Sequence, residues 1–168
     1  MISHRQIMIN AAQAVQASQV VADYCHQHFG RALQIIVGAY AQGIPAEADA
    51  PFLWMIPDEG ENQSVNTDER FSVYMVVAGC VKGPDGEQKI ETVGVERTAT
   101  TNGLQINGGN KIVEDLRDMI LGIVRNAKAG ARVVALRRRE NDISHFPLEW
   151  AEFGVDYEEP ESLTQFGG

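Results

Sequence analysis

A chain of 168 residues, 44% hydrophobic and 22% charged, has the make-up of one globular domain that builds its core without metal or disulfide staples. Its 23 acidic against 14 basic side chains, a net charge of −9, exclude a surface that grips phosphates with clustered Lys and Arg. Two cysteines, Cys25 and Cys80, are too few for a disulfide framework and point to a reducing cytoplasm. The start "MISHRQIMIN" has no apolar run followed by a cleavage site, and no stretch has membrane-spanning length.

The first predicted element is a helix that begins at Ser3, with Gln6 three residues later as a capping box, and stops at Gly30. Ile7, Ala11, Ala14, Val15, Ser18, Val21, Ala22, Cys25 and Phe29 form its inward stripe. The period then changes to two: Leu33, Ile35, Val37 and Ala39 share one face of a first strand. After the loop "AQGIPAEADAP", "PFLWMIP" reads as a short strand fenced by Pro51 and Pro57, with Phe52, Trp54 and Ile56 on one side. "DEGENQSVNTDE" reads as a polar, acidic surface loop.

A long strand follows, with Phe71, Val73, Met75, Val77 and Val81 alternating against Ser72, Tyr74, Val76 and Cys80. "KGPDGE" turns it back, and "QKIETVGVERTA" is expected to return as its hairpin partner. "TTNGLQINGGNKIVEDL" leads into a second helix. Gly103 and Gly108 have the separation of a P-loop, but Gly109 stands where lysine is required and Lys111 arrives late, so the stretch reads as a flexible loop ending in an Asn cap.

The second helix carries the stripe Ile112, Val113, Leu116, Met119, Ile120, Ile123, Val124 and Ala127, with Lys111, Glu114, Asp115, Arg117, Asp118, Arg125 and Lys128 expected to face water and Gly130 to end it. Two last strands are "ARVVALRRRE" and "HFPLEWAEFGVDYEE". In the latter the apolar positions are even through Phe146, Leu148 and Trp150, then odd through Phe153, Val155 and Tyr157, a slip that a bulge near Ala151 and Glu152 would explain. The tail at 160–168 has little to hold it and reads as mobile unless docked on another subunit. The expectation is therefore an α+β single domain over 1–168: a mixed or antiparallel sheet of about five to six strands with two main helices packed on it, in the order helix, strand, strand, hairpin, helix, strand, strand.

No residue set has the spacing of a known catalytic motif. Cys25 and His28 share a helix face, but nothing completes a metal shell, and the bland reading is a solvated helix end with histidines favourable to the dipole. Neither cysteine lies beside His145 in sequence, and G-x-S-x-G, H-E-x-x-H and C-x-x-C are absent, so enzymatic function is disfavoured and no cofactor is expected. In "RRR" at 137–139 at most two side chains point the same way in a strand, which favours salt bridging over a nucleic-acid patch. The acids Glu152, Asp156, Glu158, Glu159 and Glu161 have a plain solvation role in one chain; several copies in a ring would accumulate their charge around an opening.

The element order, the acidic loop, the glycine-dotted loop before the second helix and the closing strand "HFPLEWAEFGVDYEE" resemble the tail terminator (tail completion) family of long-tailed bacteriophages, of lambda type. The resemblance spans Ser3 to about Glu159 and rests on order and length, with no invariant motif. It implies a structural virion protein, assembled in the host cytoplasm, that forms a hexameric ring. Such a ring caps the tail tube protein and offers its other face to the head–tail connector or neck proteins, while DNA passes through without sequence-specific binding. On that implication Asp58, Glu59, Glu61, Asp68, Glu69, Arg97, Asn102, Arg137 and Arg139 are candidate subunit or tube contacts, and Glu152, Asp156, Glu158 and Glu159 candidate lumen-facing acids. Two other readings stay open: another phage neck or connector subunit, and an unrelated small α+β enzyme or ligand-binding protein with a deep pocket.

Overall fold

The computed structural model describes residues 2–40, 43–57, 70–80, 92–139 and 148–158, with the backbone alone described at 92, 93, 106–110, 138 and 139. Helices α1 (His4–Gln16) and α2 (Gln19–Phe29) precede β1 (Gln34–Val37), a 3-10 turn (Glu47–Asp49), β2 (Phe52–Pro57) and β3 (Arg70–Cys80). Then come β4 (Thr92–Val95), β5 (Leu104–Asn107), α3 (Gly108–Asn126), β6 (Arg132–Arg139) and β7 (Leu148–Glu158). The α+β expectation holds: the described residues form a five-stranded mixed sheet in the order β1-β2-β3-β7-β6 and a separate β4-β5 pair. Among the described residues only β1 and β2 run parallel, and the segment between them carries the 3-10 turn.

Ser3 starts α1 as expected, its hydroxyl accepting from the Gln6 N–H at 3.1 Å, but the Gln6 side chain donates to Asn10 Oδ1 at 2.9 Å instead of completing the expected capping box. The expected single helix is two, however. Ser18 takes an extended backbone and its hydroxyl accepts from the Val21 N–H, so it opens α2 rather than continuing α1. Gly30, with φ of 73°, closes α2 in the left-handed conformation.

All three helices cover one face of the sheet. Ile7, Ala11 and Val15 of α1, Val21 and Cys25 of α2, and Val113, Leu116, Ile120 and Val124 of α3 are buried against Leu53, Met55, Val73, Met75, Val77, Ala151, Phe153, Val155 and Tyr157. Two long-range hydrogen bonds tie the helices together: the Tyr24 hydroxyl donates to Ile112 O at 2.9 Å, and Asn10 Nδ2 to Ala129 O at 2.9 Å. Arg117, expected in water, is 7% exposed; it lies beside the α3 stripe with its Nε 3.2 Å from Asp118 Oδ1, its stem adding to the apolar cover.

Three further expectations are overturned. β3 does not pair with the segment that follows it; it lies between β2 and β7, and β4 pairs instead with β5, inside what reads in the sequence as a loop. Helix α3 starts at Gly108, so Asn110 lies within it rather than capping it, and it ends at Asn126, four residues before Gly130. Finally, β7 has no bulge at 151–152: it pairs with β3 without interruption from Arg70↔Glu158 to Cys80↔Leu148. The parity slip has another cause. Odd residues of β7 face the helices, whereas Leu148 and Trp150 join Ala50, Phe52, Val76 and Ala78 in a second cluster on the opposite face. The register shift in this part of the sheet falls on β6, between Val133 and Ala135.

An aromatic stack closes one end of the helix-side core. The His4 ring lies 4.0 Å from that of Phe71, which lies 5.1 Å from that of Tyr157, both pairs nearly parallel. Tyr157 is fully buried, and among the described residues its hydroxyl has no hydrogen-bond partner. Burial pushes that hydroxyl from 10.0 up to about 12. The raised value means its contribution is fully present below pH 10. Between about pH 10 and 12 the unfolded chain loses this proton while the folded one keeps it, so stability falls as pH rises through that window. We predict that Tyr157→Phe leaves stability at pH 7 unchanged or raised by up to about 1 kcal/mol, because an unsatisfied buried group is removed. Denaturant titrations should also show a shallower alkaline decline for the variant, by up to about 1.4 kcal/mol per pH unit in that window.

Candidate functional site

The face of the sheet away from the helices divides into an apolar end and a charged end. At the charged end β3 and β7 place even-numbered residues side by side, and β6 adds Arg132 and, beyond its register shift, the odd-numbered Arg137. Ser72 and Asp156 are directly opposite, as are Arg70 and Glu158, and Arg132 and Glu158 on the other side. Asp156 accepts from the Ser72 hydroxyl at 2.6 Å and from Arg137 Nη2 at 2.8 Å. Glu158 accepts from Arg132 Nη2 at 2.7 Å and has Arg70 Nε at 3.9 Å. The Arg132 hydrogen bond holds the Glu158 carboxyl below its ordinary range, with the Arg70 charge adding to the effect.

Arg137 reaches its carboxylate across Gly154, where a β-carbon would make only ordinary van der Waals contact with the guanidinium. The guanidinium lies over Gly154, 3.4 to 3.6 Å from where a β-carbon would stand. β6 pairs Arg137 with Gly154, while Asp156 sits two residues farther along β7, so the guanidinium reaches along the strand to its carboxylate. The structure thus brings three of the four candidate acids, Glu152, Asp156 and Glu158, to one face of β7, and sets Arg70, Arg132 and Arg137 among them. Arginine pairing discounts the negative field these acids would otherwise make. Arg139 is placed by its backbone alone, opposite Glu152. Glu159, Asp58, Glu59, Glu61, Asp68, Glu69 and the tail at 160–168 lie outside the described residues.

Arg97 and Asn102 lie elsewhere, on the connection of the β4–β5 hairpin. Every residue from Gly94 to Gln105 is exposed. Thr98 shapes the connection: its N–H donates to Thr101 O at 3.0 Å and its hydroxyl accepts from the Thr101 N–H at 3.0 Å. Gly94 and Gly103 allow the two arms to close up, since a β-carbon at Gly94 would stand 2.6 Å from Leu104 O and one at Gly103 3.1 Å from Arg97 N. Val95 and Leu104 are directly opposite across the hairpin and are 58% and 60% exposed. The first arm lies within "QKIETVGVERTA", expected as a strand but with β3 as its partner, and the second, "LQIN", within the expected loop; the partner is what local pattern does not give.

A second apolar surface lies between α1 and α3. Ala14, Met119, Gly122, Ile123, Asn126 and Ala127 line an open groove of about 460 Å³. Asn126 Nδ2 donates to Gly122 O at 2.9 Å, so the one polar side chain in the lining is already engaged.

The remaining sequence candidates do not converge. Cys25 is buried in the core, and burial pushes its thiol from 9.0 up to about 12, which disfavours a thiolate at neutral pH. His28 packs on the Tyr24 ring, 4.3 Å between centroids. Cys80 Sγ lies 3.5 Å from Glu47 Oε1, and His145 is outside the described residues. Lys111 pairs with Asp115 at 2.6 Å, one turn along the exposed side of α3. Among the described residues no three His, Cys, Asp or Glu side chains come together as a metal site, and no helix is long and apolar enough to cross a membrane. Neither a known family model nor a curated protein matches the chain.

Proposed function

We propose that this chain is a structural subunit of the phage tail-terminator type, acting as a hexameric ring that caps a tail tube and presents its other face to connector or neck proteins. The observation that carries the reading is the β4–β5 hairpin, exposed from Gly94 to Gln105 and presenting Val95 and Leu104 to its surroundings. A two-stranded hairpin is marginal by itself in water, and an exposed apolar pair on one is better suited to meeting another protein than to staying wet. The described groove supports the same reading, because a ligand site needs polar groups aimed into it and Asn126 is turned back to its own helix. Passage of DNA through the ring rests on the net charge of −9 over the whole chain rather than on Asp156 and Glu158, which are held by arginines.

Native mass spectrometry and negative-stain microscopy of the purified chain test this. The expected result is a six-membered annulus. A monomer that turns over a small substrate would replace the reading with an enzymatic one.

A further inference from the structure

We infer that Asn102–Gly103, on the β4–β5 connection, is a site of spontaneous backbone cyclisation that consumes only water and leaves aspartate or isoaspartate in place of Asn102. The sequence holds this dipeptide twice, at 102–103 and at 107–108, and the fold treats the two copies differently. An asparagine side chain reacts with the backbone nitrogen that follows it only where that nitrogen can approach Cγ. Glycine favours the approach, since it has no β-carbon in the way and few torsional restrictions.

Asn102 and Gly103 lie between the Thr98–Thr101 turn and the last ladder pair, Val95↔Leu104, and both are exposed. Among the described residues neither the Asn102 amide nor the Gly103 N–H has a hydrogen-bond partner, so no such contact has to break before the two groups meet. Asn107–Gly108 is held on both sides: Asn107 pairs with Thr92 in the ladder, and Gly108 is the first residue of the 19-residue α3. That backbone must open before it reacts.

The step balances without an oxidant or a reductant. The Gly103 nitrogen bonds to Asn102 Cγ; the Cγ–Nδ2 bond breaks, and Nδ2 leaves as ammonia with the proton that Gly103 gives up. Water then opens the succinimide at either carbonyl. Both products add a negative charge to a chain already at −9, and isoaspartate also inserts its β-carbon into the main chain. The connection between Val95 and Leu104 thus becomes more acidic and, in the isoaspartate form, longer. The surface so altered is the hairpin on which the ring reading rests, but the chemistry itself is independent of ring formation.

The test is incubation of the folded full chain in heavy-oxygen water at mildly alkaline pH, followed by peptide mass spectrometry at intervals. Heavy oxygen marks conversion in the intact protein and separates it from conversion during digestion. A parallel sample in urea gives the rates of the unfolded chain, in which both Asn-Gly pairs are free. In the folded chain Asn102 is expected to take up the label at least about tenfold faster than Asn107, and urea to bring the two rates together, because only Asn107 waits for a local opening. Asn102→Gln is expected to abolish the label in its peptide, since the ring it would need is one atom larger and closes far more slowly, and to leave the Asn107 rate unchanged. Equal rates in the folded chain overturn the inference. An Asn102 that keeps its amide when folded and loses it in urea overturns it as well, since the connection would then hold Cγ and the Gly103 nitrogen apart.

Discussion

Replacing Gly79 by alanine is expected to lower stability by about 1–3 kcal/mol, a large loss for one methyl group. The residue sits on the helix side of β3, opposite Glu149 of β7, where the end of α2 presses on the strand. A β-carbon there would stand 2.6 Å from Phe29 Cζ and 3.1 Å from Val113 Cγ2, so it has a ring on one side and a core valine on the other. Real β-carbons do not approach so closely, and something must move. Phe29 is the last residue of α2, held by the Gly30 cap behind it, and Val113 is fully buried. Val113 cannot retreat without opening space in the core, so the half-buried Phe29 ring must turn aside and give up part of its packing on the strand.

A double-mutant cycle separates this from a loss of strand propensity. In a Phe29→Ala background the added methyl has room, and Gly79→Ala should cost less than it does in wild type, with a coupling of roughly 0.5–3 kcal/mol. Urea midpoints at constant m-value would measure it. Equal costs in the two backgrounds would mean that the Phe29 ring moves aside freely and that close approach is not the reason for glycine.

Gly79 also marks the boundary of what the sequence makes legible. Alternation identifies β3, and 2-fold and 3.6-fold periods identify β2, β7 and α3, because each of these segments is long enough for its pattern to outvote local accidents. The glycine in "YMVVAGC" says nothing, since its meaning lies in a ring fifty residues away in the chain. The break at Ser18 is hidden for a different reason. The residues on either side continue one helical stripe, Val15 to Val21 to Cys25, and no glycine or proline interrupts it; only the serine's competing hydrogen bond does.

Pairing is harder to read than element type. The expectation that β3 folds back on the next strand follows the tendency of sequential strands to neighbour one another. Both faces of its second half are buried, however, from Met75 to Gly79, which is the pattern of a central strand with partners on either side. β4 and β5 are four residues each, below the length at which alternation is informative. The candidate acids show the same division. Their common face follows from parity alone, since 152, 156 and 158 are all even. That arginines stand among them depends on the β6–β7 register, which a shift at Val133/Ala135 sets and which no local pattern encodes.

Truncating Trp150 to alanine is expected to cost about 3–5 kcal/mol, as much as a residue of the helix-side core, although Trp150 lies on the other face of the sheet. It is 6% exposed and meets the Phe52 ring edge-on at 6.1 Å, within the cluster that includes Val76, Ala78 and Leu148. Two positions along the same face, Glu152→Ala should change stability by no more than about 0.5 kcal/mol, since that side chain lies outside the apolar cluster. The contrast tests the architecture. If β7 carried a bulge at 151–152, residues 150 and 153 would face the same core and the sheet would need one apolar face only. An uninterrupted ladder requires two, because Ala151 and Phe153 point toward the helices while Trp150 points away. Phe153→Ala should then cost about as much as Trp150→Ala, and the two losses should add within about 0.5 kcal/mol in the double variant, as for sites with no shared partners. Strong coupling between them would put both rings in a single core and restore the bulge.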